Sequence, residues 1–343
     1  MFWFLVAIVV VLAAVGAAYQ MTQSVADAQR FPPPGKLVQI APGRRLHLDC
    51  RGAGKPTVIL EAGIAASSLS WSRVQPRVAE FARVCSYDRA GLAWSDPSDP
   101  PFTATRMAHQ LHTLLGAASL PPKYILVGHS FGGFVVLAYA SLFRQEVAGL
   151  VLVDPPMEWV DRAPTQAGLL RRARMASVIG AFLARIGVVR ASLALLTGGH
   201  PGAPRAFVKL LGPRASGTLE RLVGEVRKLP PELYPAVQAH WCQPKCFHAM
   251  ADYLGVLQSE AATIAAAVPP ANIPVVVISG SHQPASEIAA HRRLADASPH
   301  GRHLVATKSG HWILLDEPEL IVDAVRTLIA AIGVDSAGGS APR

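Results

Sequence analysis

The segment Gly128-His129-Ser130-Phe131-Gly132-Gly133 sets a serine among glycines, directly after the apolar run Tyr124-Ile125-Leu126-Val127 and before a helix-spaced stretch, Phe131 to Phe143. Glycines at such a bend let neighbouring backbones close in, so the serine hydroxyl stands exposed on a tight strand–turn–helix corner. A helix that begins at the next residue adds backbone N–H groups that favour developing negative charge. The chemistry predicted at Ser130 is nucleophilic attack on a carbonyl through a tetrahedral oxyanion.

Short β-branched runs recur on either side of this corner: Leu46 to Leu48, Val58 to Leu60, Val84 to Tyr87, Leu150 to Val153, Val275 to Ile278 and His303 to Ala306. Between them Thr105 to Leu115, Phe131 to Phe143 and Pro318 to Ala330 carry apolar residues at helical spacing. Alternating strands and helices predict an α/β fold, a mostly parallel sheet with helices on both faces. The alternation lapses after Pro155 and resumes at Ile273, which reads as a helical lid inserted at 157–270 between two core segments, 31–156 and 271–333. Within the lid Leu169 to Leu196 carries Arg171, Arg172, Arg174, Arg185 and Arg190 among apolar residues, a composition that suits either a lid helix with solvated arginines or an amphipathic membrane surface. Residues 334–343, rich in Gly, Ser and Pro, are expected to be a disordered tail.

The chain has 343 residues, 51% hydrophobic and 16% charged, with a net charge of +9. That balance excludes intrinsic disorder and suggests a membrane element. Phe2 to Tyr19 is an apolar run of eighteen, and Asp27 is the first charged side chain. It predicts a transmembrane helix in an anchor and stalk at 1–30, before the Pro32-Pro33-Pro34-Gly35 linker. The competing reading is a cleaved signal peptide with small residues at Val15-Gly16-Ala17, although the basic segment expected before its apolar stretch is missing. Arg30 and Lys36 after the span are too few to decide the side of the membrane.

At this point the chain resembles the α/β-hydrolase superfamily, in particular a bacterial membrane-anchored branch with a Leu-Glu-Ala-Gly segment, here Leu60-Glu61-Ala62-Gly63. The likeness runs from Arg30 to about Gly333 and is weakest across the lid. It also rests on Pro32-Pro33-Pro34-Gly35, Tyr87-Asp88-Arg89-Ala90-Gly91, Trp94-Ser95-Asp96-Pro97, the Ser130 corner, Gly149-Leu150-Val151-Leu152-Val153-Asp154 and Ser309-Gly310-His311. The resemblance implies a nucleophile, acid and histidine in that chain order. His311 is then the candidate base, ahead of His282, His291, His300 and His303; His109 and His112 read as packing or surface residues. The common acid position after Val275 to Ile278 holds Gln283, and an amide cannot stabilise an imidazolium, so the acid is sought at Asp154, with Glu287 as the alternative. The oxyanion hole implied is the N–H pair of Ile64 and Phe131. Glu61 reads as a structural partner of Arg89 or of loop amides.

Cys50 and Cys85 fall on strands that this fold places side by side, where a disulfide or two buried thiols would fit. His240, Cys242, Cys246 and His248 offer zinc-type ligands, but within nine residues broken by Pro244 they are read as a lid turn or local disulfide, with no metal. No cofactor fingerprint is present. Aromatic residues make up only 7% and do not interleave with the basic ones, so nucleic acid is not an expected partner. The function expected is a serine hydrolase acting on a small-molecule, lipid-like ester, attached to the membrane by its N-terminal helix, with the basic lid as a candidate second contact. Acyl transfer by the same residues and a non-catalytic membrane-attached ligand-binding protein are the alternatives. Epoxide-hydrolase or dehalogenase chemistry in this fold would want a carboxylate where Ser130 stands.

Overall fold

Runs in which odd and even residues are both apolar become strands buried on both faces. Val58 and Leu60 turn to one side with Ile125, Val127, Val151 and Val153, while Ile59, Leu126, Leu150 and Leu152 turn to the other. The computed structural model describes residues 1–197, 228–257 and 269–338. The strands are β1 (Lys36–Ala41), β2 (Arg44–Arg51), β3 (Thr57–Glu61), β4 (Val84–Tyr87), β5 (Tyr124–His129), β6 (Val147–Val153), β7 (Val275–Gly280) and β8 (Arg302–Ala306). Among the described residues they form one eight-stranded sheet in the order β1-β2-β4-β3-β5-β6-β7-β8. From β4 to β8 every pairing is parallel; the β1–β2 hairpin joins antiparallel along β4.

The helices are α1 (Phe2–Arg30), α2 (Gln75–Val78), α3 (Ala104–Ala117), α4 (Phe131–Leu142), α5 (Met157–Arg185), α6 (Val188–Thr197), α7 (Tyr234–Trp241), α8 (Pro244–Val256), α9 (Ala285–Asp296), α10 (Ile313–Asp316) and α11 (Pro318–Gly338). One face of the sheet packs with Met107, Leu111 and Leu114 of α3, Phe134 and Leu137 of α4, and Leu294 of α9. The other face packs with Val78 of α2, Leu314 of α10, and Ile321, Val325 and Leu328 of α11. The order of the sheet brings β3, β5, β6 and β7 side by side, so the loops at their C-terminal ends meet in one place.

Every strand run named from sequence is a strand here. Sequence reasoning missed β1, whose one buried side chain is Val38, and α9, whose buried face is Glu287, His291, Leu294 and Ala295. Helix α11 runs on to Gly338, its apolar spacing continued past Leu328 by Ile329 and Ile332 against the sheet, and residues 339–343 of the tail expected at 334–343 lie outside those described. Between β6 and β7 the described residues of the expected lid are helical, apart from short turns and a 3-10 turn at Pro231–Leu233; 198–227 and 258–268 of that segment lie outside the description.

Cys50 and Cys85 face each other across β2 and β4 and are joined by a disulfide. Cys242 and Cys246 are free thiols, not a local disulfide. Burial pushes both up to about 11. Among the described residues no group of three His, Cys, Asp or Glu side chains converges as metal ligands.

Candidate active site

Ser130 ends β5 and opens α4 with φ +53° and ψ −125°, a conformation an L-residue adopts only when the surrounding bonds impose it. Its N–H donates to the Val153 carbonyl at 2.8 Å, which ties the corner to the next strand. Gly132 permits the corner: a Cβ there would sit 2.5 Å from the Glu61 carbonyl oxygen and 2.6 Å from that of Ala62. The helix can therefore begin directly against the end of β3.

The structure brings Ser130, His311 and Asp154 together. His311 Nδ1 lies 2.6 Å from Asp154 Oδ2, and His311 Nε2 lies 2.9 Å from Ser130 Oγ. Burial alone would raise the Asp154 carboxyl, but the bond from His311, the Gly280 N–H at 3.0 Å and the nearby His291 outweigh it and hold the group below its ordinary value. An ionised carboxylate only accepts, so Nδ1 carries the imidazole proton and Nε2 is left to accept the serine hydroxyl's. Asp154 is itself fixed by a left-handed backbone, φ +49°, and by its N–H donating to the Ile278 carbonyl at 2.8 Å.

Glu287, the alternative acid, faces elsewhere: its carboxylate accepts the Met157 N–H at 2.5 Å and lies 3.3 Å from His291 Nε2. His291 is fully buried behind Asp154, and its Nε2–H donates to the Pro155 carbonyl. His291 Nδ1 and His303 Nε2 each lie 2.7 Å from Ser279 Oγ, so the hydroxyl links the two imidazoles. His112 is half-buried, stacked on the Phe143 ring with its Nδ1 3.2 Å from the Glu146 carboxylate.

The two N–H groups expected to form the oxyanion hole flank the serine. Phe131 is the first residue of α4, so its N–H has no acceptor within the helix. Gly63 and Ile64 line the same cavity as Ser130, and among the described residues no bond from the Ile64 N–H is recorded. Behind this loop lies Arg89, 4% exposed, whose guanidinium donates to the Ala62, Gly63 and Ile64 carbonyls and pairs with Glu61 at 2.5 Å. Tyr87 donates its hydroxyl to the same Glu61 carboxylate. Glu61 is thereby turned away from the cavity and neutralised.

Three residues here carry structure that sequence reasoning did not assign. Gln283, met only as a departure at the acid position, donates its amide to Asp154 Oδ2, the oxygen that His311 also contacts. His129 donates Nε2–H to the His311 carbonyl at 2.8 Å, fastening the loop that carries the imidazole to the serine corner. Burial, together with the adjacent His311, lowers His129 to about 3 and keeps it neutral. Arg89 is the third: its pairing with Glu61 is expected from the sequence, but its bonds to the Ala62, Gly63 and Ile64 carbonyls are not.

Above Ser130 and His311 lies a cavity of about 280 Å³, walled by Ile64, Leu69 and Leu92 of the core loops and by Leu229, Val237 and Trp241 of the segment expected as the lid. Its lining is chiefly apolar.

The chain matches the alpha/beta hydrolase fold family over residues 56–318, and it belongs to that family. Among solved structures it is similar to a thermophilic esterase from Thermogutta terrifontis, at 20% identity and a TM-score of 0.55, covering 86% of this chain and 97% of that one. It is similar also to an epoxide hydrolase, at 19% identity and a TM-score of 0.61, covering 86% and 98%. An enol-lactonase from Burkholderia xenovorans LB400 matches at 18% identity and a TM-score of 0.54, covering 85% and 99%. At these identities the likeness is one of fold. A curated relative, the uncharacterized protein YqjL of Bacillus subtilis, is 32% identical over 107 residues, 31% of this chain and 42% of that protein, so the match spans less than half of YqjL.

Proposed function

We propose that this chain is a membrane-anchored serine hydrolase that cleaves carboxylic esters of lipophilic acids. The observation that carries the reading is the single imidazole of His311 set between Ser130 Oγ and the Asp154 carboxylate. Ser130 Oγ attacks the ester carbonyl while His311 Nε2 takes its proton, and the Ile64 and Phe131 N–H groups hold the oxyanion. Collapse breaks the bond to the alcohol, which leaves with the proton from His311, and the acyl group stays on Ser130. A water molecule then gives its proton to His311 and attacks the acyl carbonyl; the acid departs and Ser130 regains its proton. A serine at this corner favours acyl chemistry over opening of an epoxide, which in this fold would want a carboxylate there.

The apolar cavity supports a lipophilic acyl group, with Leu229, Val237 and Trp241 of the inserted segment serving as lid residues over it. Helix α1 supports the anchor: it has 29 residues, a best window of mean hydropathy 2.5, and no part of that window is buried. A fluorophosphonate probe, which labels a serine only when its base activates it, tests the reading. Labelling of the purified full chain, abolished in Ser130→Ala and strongly slowed in Asp154→Asn, is the expected result. A folded wild type that takes no label would overturn it in favour of a ligand-binding protein.

A further inference from the structure

Between Met175 and Phe182, helix α5 turns a stripe of large apolar residues outward. Met175, Val178, Ile179 and Phe182 follow the i, i+3, i+4, i+7 spacing of one helical stripe, and all four are exposed, Phe182 at 61%. The opposite face is the packed one, where Ser177, Ala181 and Ala184 are buried and Gly180 presses against the Phe247 ring of α8. A helix resting on a protein core in water shows the reverse arrangement, so this stripe calls for an apolar cover.

The position of α1 says what that cover is. Gly16 meets the corner between α5 and α6 so closely that a Cβ would overlap the Ile186 carbonyl, and a Cβ on Gly187 would lie 2.7 Å from the Gly16 oxygen. Further along α1, Asp27 pairs with Arg190 of α6 at 2.7 Å and Gln20 donates to the Cys242 carbonyl at 3.0 Å. The second half of α1 is therefore docked on the lid, while Phe2 to Leu12 are all exposed. Gly16 lies inside the apolar run that ends at Tyr19, about 5 Å short of its end at 1.5 Å per residue. If α1 spans a bilayer, the α5–α6 corner is carried to a depth of about 5 Å, the depth at which amphipathic helices lie in the headgroup boundary. Charge agrees: from Ala167 to Thr197 the chain has arginines and no Asp or Glu, and Arg171, Arg172, Arg174 and Arg185 are exposed.

We propose that α5 and the start of α6 lie in the headgroup layer of an anionic bilayer, apolar stripe down, so that the lid is a second membrane contact beside the anchor. The depth argument rests on the reading of α1 as a membrane span. To test both, Leu12, Ile179, Phe182 and, as an aqueous control, Arg326 are each replaced by cysteine in the full chain and labelled with an environment-sensitive fluorophore, with unsubstituted protein as the blank. Each is reconstituted in phosphatidylcholine vesicles with and without phosphatidylglycerol, carrying a quencher on the lipid chains near the headgroup.

Quenching at 179 and 182 as well as at 12, none at 326, and a stronger effect with phosphatidylglycerol is the expected result. Quenching at 12 alone overturns the lid contact and leaves the anchor standing; quenching at none overturns both. Energy transfer between two chains labelled at 179, without lipid quenching, would show that a second copy covers the stripe and would overturn the proposal. Ile179→Ser/Phe182→Ser supplies the functional arm, with about tenfold lower turnover of a bilayer-embedded ester expected from the lost apolar area. Its turnover of a water-soluble short-chain ester stays at the wild-type level, which reports that the fold and the hydrolytic site are intact. Equal loss on both esters would overturn the proposal.

Discussion

The Arg89 guanidinium donates to the carbonyl of Gly63, 26 residues earlier in the chain. In a planar trans peptide the C=O and the following N–H point in opposite directions, so holding the Gly63 oxygen toward Arg89 directs the Ile64 N–H the other way. Arg89 thus sets the orientation of a group it does not touch. Removing Arg89 alone strands the Glu61 carboxylate in the interior, at a cost of about 3–5 kcal/mol. The informative variant is therefore Arg89→Met/Glu61→Gln, which removes both charges. It is expected to fold, to lose about 10²–10³ in kcat, and to keep KM within a few-fold, while Glu61→Gln alone keeps most of kcat. Steady-state kinetics on a soluble ester separate these outcomes; an unchanged kcat in the double variant would sink the argument.

The Gln283 amide and the His311 imidazole share one oxygen of Asp154. Gln283 stands at the end of β7, next to the strand whose end carries Asp154, so a carboxylate at either place is within reach of the imidazole. Asp154→Asn is expected to lower kcat about 10³–10⁴-fold. Asp154→Asn/Gln283→Asp is expected to recover a substantial part of it by exchanging acid and amide. Gln283→Asp alone sets two carboxylates together and is expected to be slower than wild type. Measured kcat values across the three variants decide the point.

His129 is buried and neutral, lowered to about 3. In the unfolded chain an imidazole titrates near 6.5, so as pH falls below that value the unfolded state gains a proton that the folded state refuses. Stability from this residue is full above about pH 6.5 and is lost progressively as pH falls toward about 3. At pH 4.5 the loss is about 2–3 kcal/mol. His129→Gln has no such proton to gain, so its thermal midpoint is expected to fall less than that of wild type between pH 7 and pH 4.5. Parallel curves for the two proteins would contradict the assignment.

Two glycines make opposite predictions. A methyl group on Gly132 would meet the backbone of Glu61 and Ala62, which has no rotamer to yield, so Gly132→Ala is expected to cost at least about 1–3 kcal/mol and to disturb the serine corner. A methyl group on Gly116 in α3 meets nothing within 4 Å, so Gly116→Ala is expected to stabilise by about 0.5–1 kcal/mol. Thermal midpoints of the two variants should move in opposite directions.

Much of this was legible in the residues. Continuous apolar runs marked strands because both faces of the sheet are covered, and glycines around Ser130 marked a corner because nothing larger fits beside Glu61 and Ala62. Gln283 pointed to Asp154 because an amide cannot carry the charge the imidazole needs. What was not legible depends on distance along the chain. The Arg89–Glu61 pair was read in advance, but the bonds from Arg89 to the Gly63 carbonyl and from His129 to the His311 carbonyl join residues 26 and 182 positions away, and neither spacing nor composition registers them. Helix α9 escaped notice because its buried face holds Glu287 and His291, side chains that ordinarily mark a surface.

The disulfide between Cys50 and Cys85 gives the chain a second covalent route around everything from 51 to 84. The exposed turn at Gly52 to Lys55 is the sort of place a protease would cut. A single cut there leaves α1 and the β1–β2 hairpin bonded through sulfur to β4, and hence to Ser130 and the rest of the sheet. Proteolysis at that turn cannot separate the serine-bearing body from α1 unless a reductant acts as well.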